Sequence, residues 1–163
     1  MRARVRDRRN VAVGPAGAVK TPAFYSVDIH SPYTARMERS EPYRLDIDVA
    51  THYLDRQSEP TQRRYVFAYT IQMRNTGKVP ARLISRYWVI TDGNGKVQEV
   101  HGEGVVGKQP WLAPGEEFSY TSGAVLETDI GVMQGCYEML AEDGTRFEAQ
   151  IPPFTLTVPR TLH

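Results

Sequence analysis

One cysteine, Cys136, is the only thiol in this chain. No disulfide can close within it, which favours a reducing compartment without requiring one. No apolar run approaches the roughly 18 residues that a membrane helix requires, so no membrane contact is expected. Histidine is scarce as well: His30, His52, His101 and His163 are the whole set. None has a second ligand-type residue at H-x-x-x-H spacing, and a lone cysteine cannot make C-x-x-C, so no metal centre and no cofactor are expected. The nucleophile elbow G-x-S-x-G is missing. Ser122 with His101 and Asp92 is a conceivable triad without that support. The adjacent carboxylates Glu116 and Glu117 point to opposite faces of a strand and cannot act as a pair. The chemistry that marks an enzyme is therefore absent, and a non-catalytic role follows.

What is present is ordinary globular material, 40% hydrophobic and 24% charged over 163 residues. The net charge of +1 hides an asymmetry. Residues 1–40 carry eight Lys/Arg against three acids, a net of +5, while residues 41–163 carry twelve against sixteen, a net of −4. The arginine run Arg2–Arg9, the breakers Gly14-Pro15 and Gly17, and the lack of any sustained apolar period read as a disordered basic extension over residues 1–42. A signal peptide would have only the short, broken run Val11–Val19 as its apolar region. A basic arm touching nucleic acid and a true start at Met37 are further readings of the same stretch. The mildly acidic remainder has no basic face of the kind that nucleic-acid binding needs.

Residues 43–163 read as strands. Leu45, Ile47 and Val49 alternate with Asp46 and Asp48, the pattern of a strand with one wet face. Tyr65, Phe67, Tyr69, Ile71 and Met73 repeat it before the turn signal Asn75-Thr76-Gly77. Arg82–Thr91 is rich in β-branched and aromatic residues, and Asp92-Gly93-Asn94-Gly95 turns it into Lys96–His101. Glu117–Ser122, Val132–Ala141 and Arg146–Ile151 follow. Pro152-Pro153 reads as a breaker that sets off a last strand, Phe154–Val158. About eight short strands with regular turn signals and no amphipathic helix indicate an all-β immunoglobulin-like or fibronectin type III-like β-sandwich.

The most distinctive segment is the glycine-rich loop Gly102–Pro110, which contains G-x-G-x-x-G. In a dinucleotide-binding fold those glycines lead into a helix whose N-terminus holds the pyrophosphate. Here Pro110 and Pro114-Gly115 forbid that helix. Gln109 stands where a Walker loop needs Ser or Thr. Two readings stay open. The glycines Gly102, Gly104 and Gly107 serve a tight connection, or their amides, with Lys108, hold a phosphate-type anion. Glu99, His101 and Glu103 share one strand face and form a weak metal candidate. Trp111, beside Gln109, is either a partner-binding anchor or a plug for one end of the sandwich. Cys136 reads as a small buried hydrophobe.

Several segments together resemble the ApaG family: Arg64–Ile71, Ser85–Asp92, Glu99–Pro110, Leu112–Gly123, Gly131–Met139 and Ile151–Phe154. Taken jointly these motifs, the loop Gly102-Glu103-Gly104-Val105-Val106-Gly107-Lys108-Gln109-Pro110 among them, are highly specific. The resemblance covers residues 43–163 without a gap, and residues 1–42 have no counterpart in a minimal member. It implies a fibronectin type III-like sandwich in a small, cytoplasmic, bacterial protein with no established enzymatic activity. It also implies an association with cobalt and magnesium sensitivity, and genes lying near a diadenosine tetraphosphate hydrolase. In eukaryotes, similar domains are fused to an F-box protein and to a polymerase-interacting protein. A protein partner is expected, with a second copy of the chain an allowed one. The alternative is a sensor of pyrophosphate or diadenosine tetraphosphate.

Overall fold

The computed structural model describes residues 41–160. The expectations for the basic extension and for Met37 lie outside the described residues. Eight strands run in order: β1 Leu45–Tyr53, β2 Tyr65–Asn75, β3 Ala81–Asp92, β4 Val97–Glu103, β5 Trp111–Leu112, β6 Glu117–Leu126, β7 Ile130–Ala141 and β8 Arg146–Thr157. The only helical turns among the described residues are two single 3-10 turns, Asp55–Gln57 and Pro60–Gln62. No described helix is long and apolar enough to cross a membrane.

All pairings are antiparallel. One sheet has the order β1-β2-β6 and the other β4-β3-β7-β8, with β5 also on β3. The period-two pattern explains which side of each strand faces in. Phe67, Tyr69, Ile71 and Met73 of β2 are buried, and Tyr120 and Leu126 of β6 join them. From the other sheet come Leu83, Trp88, Met133, Tyr137, Met139, Ile151 and Leu156. The two faces interdigitate into one core, as in an immunoglobulin-like or fibronectin type III-like sandwich.

Three expectations change. The pair Pro152-Pro153 does not break the last strand. β8 is continuous, and its register against β7 shifts between Met133 and Gly135, so two prolines oppose the single residue Gln134. β8 is an edge strand, where missing N–H donors cost least and bulges are tolerated. A two-residue strand, β5, sits in what read as loop. Cys136 is half-buried, not buried. Its neighbour Tyr137 takes the inward position in β7, and alternation turns Cys136 to the outer face. Partial burial, helped by Glu148 and Glu138, raises the pKa of its thiol.

Candidate functional site

β4 and β5 lie along the same edge of β3, in the same direction. Ser85 pairs with Glu103, and further along Arg82 pairs with Trp111. Between them the chain makes a short excursion. Val105 N–H donates to the Lys108 carbonyl at 2.8 Å, and Lys108 N–H returns to the Val105 carbonyl at 2.9 Å. The two central residues, Val106 and Gly107, have φ of 45° and 76°. Positive φ at both positions is the pattern of a type I′ hairpin turn. The glycine-rich loop is thus a miniature hairpin budding from a sheet edge.

Its glycines are explained by what surrounds them. Gly104 has φ +62°, and an added Cβ would lie 2.4 Å from the Lys108 carbonyl oxygen. Gly102 lies flat against the Arg86 guanidinium, where a Cβ would come within 2.7 Å. That guanidinium donates to the carbonyls of Glu103 and Gly104, at 3.1 and 2.8 Å. Gly104 N–H donates to the Ile84 carbonyl at 2.8 Å. Three loop amides, those of Gly104, Val105 and Lys108, are therefore engaged within the fold. Lys108 itself is exposed. Gln109 is half-buried: its side-chain amide donates to the Ile84 carbonyl at 2.9 Å, and its own carbonyl accepts from Arg82 Nε at 3.1 Å.

Trp111 stands on this platform, 51% exposed. The end of the sandwich is filled by Val105 and Leu112, at 0% and 2% exposure. Leu112 is pinned by Asn75, the buried polar residue at the end of β2. The Asn75 amide donates to the carbonyls of Leu112 and Val79, at 2.9 and 3.0 Å, and its oxygen accepts from Gly77 N–H. Leu83 N–H donates to the Pro110 carbonyl at 3.0 Å. The indole is thus held on a rigid short strand. Val106, at the hairpin tip, is 54% exposed.

The proposed metal face is otherwise occupied. Tyr87 stacks on His101 with ring centroids 4.4 Å apart, and its hydroxyl donates to Glu99 at 3.0 Å. That hydrogen bond to a carboxylate raises the Tyr87 pKa. Among the described residues no group of three His, Cys, Asp or Glu side chains is placed to hold a metal ion. Ser122 lies on β6 and His101 on β4, in different sheets, so the conceivable triad is not assembled. Sequence reasoning missed Arg86 and Asn75. A charged residue inside the apolar run of β3 was the available signal for the first. Asn75 was legible only as a turn former.

These features define an all-β sandwich whose glycine loop is a tightly bonded edge hairpin beside an exposed aromatic. The family model described as the ApaG domain matches residues 55–141. The Protein ApaG of Aromatoleum aromaticum is 61% identical over 127 residues, covering 78% of this chain and 100% of that protein. That of Xanthomonas euvesicatoria is 58% identical over the same shares. A crystal structure from Bordetella pertussis, described as an ApaA protein, superposes with a TM-score of 0.72 at 54% identity, covering 75% of this chain and 99% of that one. The chain belongs to the ApaG family.

Proposed function

We propose that the domain is a non-catalytic binding module that docks a partner protein on Trp111 and the Gly102–Gln109 hairpin. Its setting is the cytoplasm, and its role lies in the cobalt and magnesium sensitivity with which the family is associated. The observation that carries the reading is Trp111, a large ring left half exposed on a strand clamped from three sides. Tryptophan on a rigid support is the typical energetic centre of a protein interface, because little entropy is lost when it docks. Val106 supports it. A β-branched residue at positive φ is costly, and this one points an apolar tip at solvent.

Affinity capture with the full chain and with Trp111→Ala tests the reading. Recovery of a bound protein is expected to fall about tenfold or more, the effect of losing a hot-spot anchor. Equal recovery with both baits overturns it. Calorimetry with pyrophosphate separates the anion-sensor alternative, since binding abolished by Lys108→Ala would favour that reading instead.

A further inference from the structure

We infer that the cleft between β4 and β6, at the end of β3 remote from Trp111, binds a small organic oxyanion with an apolar body. The two sheets meet along β1 and β8. On the opposite flank a cavity of about 390 Å³ opens, with Ile90, Val125 and Leu126 as its apolar wall. Val125 is 50% exposed there. Arg63, Arg64 and Lys96 stand at the lip, with the carboxylates of Asp92 and Glu127.

The acids are already engaged. Asp92 Oδ1 accepts the amides of Asn94 and Lys96, each at 2.9 Å. Glu127 pairs with Lys96 at 3.6 Å. Among the described residues Arg63 and Arg64 make no ion pair. Three cations thus face two carboxylates at the lip, a surplus of one positive charge, and the two guanidiniums stand beside the apolar wall without an ion-pair partner among the described residues. Arginine forks match the geometry of phosphate and carboxylate. The wall matches an aryl or alkyl body.

The second observation is the backbone of Arg63. It sits at φ 52°, ψ 47°, in the left-handed region. The closed turn Glu59–Arg64 puts it there, through Arg63 N–H to the Pro60 carbonyl and the paired Glu59 and Arg64 main chains. Glycine or asparagine fits such a position without strain. An arginine there places charge at the cleft against a conformational cost, which is where strain points to a ligand.

Strain also makes the test clean. Arg63→Gly removes the charge while relaxing the turn, so the variant keeps its fold. Phenyl phosphate is titrated into the full chain and its variants by calorimetry, with inorganic phosphate as the head group alone. Saturable binding in the millimolar range or tighter is expected for the full chain. It should weaken about tenfold for inorganic phosphate, which lacks the ring to bury. It should weaken similarly in Arg63→Gly and in Arg64→Gln, and stay unchanged in Lys108→Ala. No saturable binding overturns the proposal. So does full binding by both arginine variants, loss of binding in Lys108→Ala, or equal affinity for the two ligands.

Discussion

Tyr120 and Tyr137 join their hydroxyls in a single hydrogen bond of 2.5 Å inside the core. Burial is the main reason both phenols are held above the usual tyrosine value near 10. For a group that charges by losing its proton, a raised folded pKa means that the unfolded chain ionises first. Stability is then complete below about pH 10 and is lost as pH rises beyond it. Two such groups steepen the alkaline loss by about 2.7 kcal/mol per pH unit. That is the limit well above pH 10; between pH 9 and 11, where the unfolded tyrosines are only part ionised, urea unfolding should show a total loss of about 2.7 kcal/mol. It should largely vanish in the double variant Tyr120→Phe, Tyr137→Phe, which removes both partners and leaves stability at neutral pH nearly unchanged. The inward position of Tyr120 was readable from alternation, but that of Tyr137 was not, because Cys136 beside it read as the buried residue. Their partnership was not readable either, because it joins strands of different sheets. Arg86 escaped notice for a similar reason. Its partners are main-chain carbonyls, which carry no residue signature.

β5 is two residues long and lies between Pro110 and Pro114, too short for any periodicity to declare it. Its existence rests on Asn75 and on the edge of β3. Asn75→Ala would strand the Leu112 and Val79 carbonyls and the Gly77 amide in a buried place. The expected loss is about 2–3 kcal/mol in denaturant unfolding, with partner capture falling alongside as the seat of Trp111 loosens. The hairpin tip makes the complementary case. Asparagine suits the first position of a type I′ turn, so Val106→Asn should raise stability by about 1 kcal/mol. If Val106 serves the partner surface, that gain comes with weaker capture, and an unchanged yield would confine the interface to Trp111. β2 was legible from Phe67 onward, because a strand paired on both sides inside a sandwich keeps its alternation there, while Val66 on the opposite side is buried as well. β8 was not, because proline reads as an end wherever the edge position of the strand is unknown.

Across the whole domain, the two strained non-glycine residues among those described, Arg63 and Val106, mark opposite ends of the β3–β4 edge. The hairpin and the cleft share no residue, and substitutions at one should add to those at the other. The sandwich class and the strand faces followed from spacing. The cleft did not, because it is made where two sheets part. The same architecture gives the molecule two optical signals. The chain has two tryptophans. Trp88 is sealed at 2% exposure, edge-on to Tyr69, Tyr137 and Phe154, with its indole N–H unpartnered. Its emission should be blue and deaf to iodide until the fold opens. Trp111 should emit to the red and be quenched freely. One unlabelled sample thus reports occupancy of the hairpin surface and integrity of the core at separate wavelengths.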